Sequence, residues 1–203
     1  MYNLTERKIT IGIYSGIFII VLYFLKAFYE YFGYGEIGFF HIKQALLLAT
    51  NLFLYIGLLI LLYNIVVIHY KQQQLQSLWK LLIRLEVISA VLAVLTSLAT
   101  YYGIVGALII TKLIAIIIYF IIFSRINKVE KEELPDIGSL QDSVISFYII
   151  LLLAIVLGFV IEFGRMVQLN FVKHLLTAIP FIFIIRFLIK VRKRIFYNNT
   201  ASV

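Results

Sequence analysis

Six long apolar runs punctuate the chain: Ile9–Phe28, Ala45–Ile68, Leu81–Ala99, Ile104–Phe123, Val144–Ile161 and Phe171–Ile189. Each approaches the roughly 20 residues that a helix needs to cross about 30 Å of hydrocarbon. No water is available there to satisfy backbone amides and carbonyls, so a continuous run of this length must bond to itself, as a helix. The alternating strands of a membrane barrel are absent from the sequence. The expectation is an all-α, polytopic transmembrane helix bundle of six spans, forming one membrane domain over residues 1–203.

Composition closes the alternative of a soluble fold. Hydrophobic residues make up 63% of the chain and charged residues 14%, against about 45–50% and about 25% in an ordinary soluble domain. A soluble body of this size has too little interior to hide so much apolar surface. The chain has no cysteine, which excludes disulfides, thiolate metal sites and thiol nucleophiles. The net charge of +8 sits at the ends of the apolar runs. In that setting basic residues mark a cytoplasmic face and its anionic lipids, and no nucleic-acid partner is expected. The first run follows Arg7-Lys8, as in a signal peptide, but it is too long for one and leads into Lys26 and bulky aromatics. It reads as a retained span.

Orientation follows from the lysines and arginines. With the N-terminus inside, the inner face collects thirteen of them: Arg7, Lys8, Lys71, Lys80, Arg84, Arg125, Lys128, Lys131, Arg186, Lys190, Arg192, Lys193 and Arg194. The outer face takes four, namely Lys26, Lys43, Arg165 and Lys173, while Lys112 lies within a span. An even number of spans, with both termini in the cytoplasm, explains this positive-inside bias best; five spans would put two basic clusters on the wrong side. A bacterial inner membrane or a plasma membrane is the compatible setting. Aromatics agree: Tyr29, Tyr31, Phe32, Tyr34, Phe39 and Phe40 crowd the first outer loop, Tyr101-Tyr102 the second, and Tyr70 and Trp79 flank an inner loop. Such rings belong at the headgroup level.

Rows of small residues suggest how the helices pack. The third span carries Glu86, Ala90, Ala93 and Ser97, and the fourth Gly103, Ala107, Thr111 and Ala115. Small side chains at this spacing let helix backbones approach closely in lipid. The short Tyr101-Tyr102-Gly103 turn makes the two spans antiparallel neighbours.

Charges within a span are costly and each one poses a functional question. Lys112 lies well inside the fourth span, and Glu86 lies on the small-residue row of the third. In the antiparallel hairpin the two are offset by roughly 9 Å along the axis, a gap that a lysine side chain partly closes. The pair either fixes the register of the two spans or binds a proton, an ion or a charged solute. On the outer face, Glu30, Glu36, His41, Glu162 and His174 are the polar candidates. Their spacing matches no ligand motif, so neither a metal nor a cofactor is expected.

No loop is long enough to form a domain, and no phosphate loop, nucleophile elbow or paired-carboxylate motif is present. The leading expectation is a non-catalytic accessory, scaffold or regulatory subunit, working through its helix faces and short cytoplasmic loops. Its partners would be the lipid bilayer and other membrane subunits, or further copies of itself. The alternatives are a small oligomeric transporter or channel, with Lys112 and Glu86 near its path, and a membrane-embedded enzyme acting on lipid.

Overall fold

The computed structural model describes residues 4–31, 40–98, 102–126, 128, 140–142, 145, 146, 149, 153 and 170–197. All regular structure among them is helical, with no strand. Helix α1 spans Glu6–Tyr31, α2 Phe40–Tyr63, α3 Gln76–Leu98, α4 Tyr102–Ile126 and α5 Asn170–Phe196. Residues 140–142, 145, 146, 149 and 153 are also helical and fall at the start of the fifth apolar run; the rest of that run lies outside the described residues.

The helices extend beyond the apolar runs because hydropathy marks the lipid-matching part of a helix, whereas its hydrogen-bond ladder continues into the polar boundary. At its start, α1 is closed by Thr5, whose hydroxyl accepts from the amide of Lys8 at 3.4 Å, with Glu6 in the first turn. Both features satisfy or complement the exposed amides of a helix N-terminus. Helix α2 does not end cleanly. It passes into a π-helical turn over Asn64–His69, followed by Lys71 in the left-handed region (φ 57°) and a 3₁₀ turn at Gln73–Leu75.

Four of the described helices are long and apolar enough to cross a membrane: Glu6–Phe28, Ala49–His69, Gly106–Ile126 and His174–Phe196. A stretch of 21 residues is about 31 Å long as a helix, the thickness of the hydrocarbon core. Helix α3 carries Lys80, Arg84 and Glu86 along its length and is not one of the four.

The chain forms two compact units. The first comprises residues 1–12 and 39–135, the second residues 13–38 and 136–203. In the first unit, α3 packs against both α2 and α4. Its core takes Leu58, Leu62, Ile65 and Val66 from the α2 segment and its π turn, Leu75 from the 3₁₀ turn, Trp79 and Leu82 from the start of α3, and Ala115, Ile118, Ile122 and Ile126 from α4. The hydroxyls of Tyr55 and Tyr119 meet between α2 and α4. In the second unit, α1 and α5 approach closely. A Cβ at Gly16 would lie 2.8 Å from Cγ1 of Ile185, so the missing side chain permits the crossing. Tyr23 and Phe181 stack at 6.0 Å between ring centroids in the same unit, next to the buried Pro180.

Outward-facing apolar residues are many. On α4 alone Ile109, Ile110, Leu113, Ile114, Ile117 and Phe120 are exposed. Water would not tolerate a continuous apolar face of that size, whereas lipid tails cover it without cost.

Candidate functional site

Glu86 and Lys112 meet. The lysine Nζ donates to Glu86 Oε2 at 2.6 Å, joining α3 to α4. The offset read from the apolar runs is too large, because α4 starts at Tyr102 rather than Ile104 and α3 ends at Leu98. Glu86 is then twelve residues from its end of the hairpin and Lys112 ten, a difference of about 3 Å in helix rise.

The two partners sit differently. The Glu86 side chain is 4% exposed and that of Lys112 41%. Glu86 belongs to the buried row of α3, which runs Trp79, Leu82, Glu86, Ser89 and continues from Leu75 of the preceding 3₁₀ turn. Lys112 lies one turn before the buried Ala115 and reaches inward from the margin of the same α4 face. A carboxylate sealed in an apolar interface is tolerable only with a cation and good geometry, and Lys112 supplies both. Ser89, one turn beyond Glu86, is fully buried, and its hydroxyl finds no hydrogen-bond partner among the described residues. Sequence reasoning passed over it in favour of Ala90. The buried row follows steps of three and four residues, and Ser89 falls on it while Ala90 is only half-buried.

The small-residue rows are only partly interior. Ala93 is half-buried, and the Ser97 side chain lies outside the described residues. On α4, Gly103 and Ala107 are exposed, Thr111 is half-buried and donates to the Ala107 carbonyl of its own helix at 2.7 Å, and Ala115 is buried. Only the Ala115 end of that row contributes to the core.

Of the outer-face candidates, Glu30 falls at the end of α1 and His41 at the start of α2, with their side chains outside the described residues; Glu36 and Glu162 also lie outside them. His174 stands in the first turns of α5, half-buried. Among the described residues no group of three histidine or acidic side chains is placed to hold a metal ion.

A second polar region, which the sequence does not announce, sits where α2 turns into α3. The amide of Asn64, itself buried, donates to the Ile60 carbonyl at 2.7 Å, and the indole of Trp79 donates to the Leu59 carbonyl at 3.2 Å. Both carbonyls lie just before the π turn, where the helical ladder changes from four-residue to five-residue steps. Trp79 is 4% exposed, so its ring is a core residue of the first unit rather than the headgroup anchor expected from its place beside an inner loop. Tyr70, Lys71, Gln72, Gln73 and Gln74 line a shallow open depression of about 500 Å³. Gln74 donates to Gln72 at 3.3 Å, and Arg125, from the end of α4, donates to the Gln74 carbonyl at 3.3 Å. This ties the loop to the far end of the α3–α4 hairpin.

Compared with protein-family models, curated proteins and solved structures, the chain matches none of them.

Proposed function

We propose that the chain is a six-span integral membrane protein with both termini in the cytoplasm, and that it acts as a non-catalytic accessory or scaffold subunit. The observation that carries the reading is the closed Glu86–Lys112 pair. The intramembrane carboxylate is sealed at 4% exposure and bonded to a lysine on the neighbouring helix, so these charges hold two helices in register. The polar loop at Tyr70–Gln74 is likewise tied to α4 by Arg125. A bundle built this way offers partners its exposed faces, above all the apolar face of α4. The six-span topology is supported by four helices of spanning length and apolarity, by the helical third segment and by the positive-inside count.

One observation favours a second reading, transport by a small oligomer. Lys112 is 41% exposed, and the buried Ser89 hydroxyl beside Glu86 finds no hydrogen-bond partner among the described residues, so polar groups reach from the margin of α4 toward its interior. Flux separates the two. Proteoliposomes of the purified chain, loaded with a potassium or proton gradient, should leak no faster than empty vesicles under the scaffold reading. Flux that Lys112→Ala abolishes without loss of helicity would establish transport instead.

A further inference from the structure

Helix α5 ends in five cations, three of which form a row on one side. At 100° per residue, Arg186, Lys190 and Lys193 fall within an arc of about 60° and climb about 10 Å of helix, with Arg194 flanking them. Arg186 and Lys193 are exposed and Lys190 is half-buried. At the same level Phe187, Leu188 and Val191 are fully buried, whereas Ile189 is exposed and Arg192, about 120° from the row, is half-buried. Among the described residues, the side chains of Arg186, Lys190 and Lys193 make no hydrogen bond or ion pair. Helix α5 has 27 residues and is about 40 Å long, against about 30 Å of hydrocarbon. The row therefore straddles the boundary at which the helix leaves the core.

A general need for positive charge does not explain this placement. The helix dipole is complemented by cations in the last turn alone, where Lys193 and Arg194 already stand. Retention of an inner terminus is served by charge anywhere near the boundary. Neither requires a row that begins at Arg186, ten residues before the end of the helix, and stays on one face. A row of unpaired cations at headgroup depth complements a phosphate-bearing headgroup.

We propose that Arg186, Lys190 and Lys193 form a binding surface for anionic phospholipid headgroups of the cytoplasmic leaflet. The surface rests on the membrane-spanning reading of the chain. It gives the protein a preference among lipids, and so a means of residing where anionic lipid is dense.

The test uses the full chain in mild detergent, titrated with equimolar dioleoyl phosphatidylglycerol and dioleoyl phosphatidylcholine, with bound lipid counted by native mass spectrometry. The wild type should retain phosphatidylglycerol at least about tenfold more tightly, and each Lys→Gln change in the row should remove about fivefold of that preference. Lys190→Arg with Lys193→Arg should keep it, as should Lys80→Gln, which removes an exposed cation of α3. If the double glutamine variant loses its helical circular dichroism, Lys193→Gln alone carries the comparison, since Lys193 is exposed near the helix end. Absence of any preference in the wild type, or an equal loss from Lys80→Gln, would overturn the proposal. A parallel alkaline carbonate wash of membranes separates the two levels. Protein released into the supernatant contradicts the membrane reading itself, whereas protein that stays with the membrane but shows no lipid preference contradicts only the headgroup surface.

Discussion

Trp79 shows how one side chain can fit two readings. A tryptophan beside an inner loop suits the headgroup belt, yet the structure buries it and gives its indole N–H the Leu59 carbonyl. The ring is amphipathic, so both environments satisfy it, and no residue pattern separates them. Because it is the sole tryptophan, fluorescence does. In vesicles its emission should be that of a buried indole, with little quenching by lipids brominated on their acyl chains. Strong quenching would return Trp79 to the lipid boundary. Glu86 and Lys112 were more legible, since a charge amid apolar residues stands out in the sequence. Ser89 was not, because serine is common on lipid-facing and interior surfaces alike, and its burial depends on where the α3 row drifts.

At the scale of elements, the apolar runs located the helices well because lipid imposes a single rule on backbone and side chains together. Their ends were less legible. The π turn after Tyr63 leaves the hydrophobic pattern of α2 intact while changing its backbone ladder, so periodicity reads straight through it. The small-residue rows were over-read: Gly103 and Ala107 are exposed, whereas Gly16, which lay on no row, leaves no room for a Cβ beside Ile185 of α5. Gly16→Ala should force the Ile185 side chain aside and destabilise the α1–α5 contact by about 1 kcal/mol, the low end of overpacking, because Ile185 can move and alanine favours the helix. Ile185→Ala in the same chain should recover part of that loss, because it removes both atoms that crowd the new methyl. Thermal unfolding in detergent reads both effects, and no loss in Gly16→Ala would show that the crossing is looser than described.

For the whole molecule, the proposed six-span topology rests on charge placement and helix length, and the absence of cysteine makes it directly measurable. Single cysteines at Thr5, Lys128 and Tyr197 should react with a membrane-impermeant maleimide only from the cytoplasmic side, and one at Gly103 only from the opposite side. Labelling of Thr5→Cys and Tyr197→Cys from different sides would require an odd number of spans. Topology alone leaves open what the bundle does with its interior charges.

The central claim is that those charges hold α3 and α4 in register, and a double-mutant cycle on Glu86 and Lys112 tests it most directly. Stability against denaturing detergent is measured for Glu86→Gln, Lys112→Met and the two combined. Removing Lys112 strands a carboxylate that is 4% exposed and costs up to about 3–5 kcal/mol, removing Glu86 leaves a lysine that is 41% exposed and costs less, and replacing both is close to neutral. The account predicts a clearly destabilised Lys112→Met, a milder loss in Glu86→Gln and a double variant near wild type. Single variants as stable as wild type, or a double variant that loses the full sum of both, would contradict it and show that the two residues are not coupled through packing.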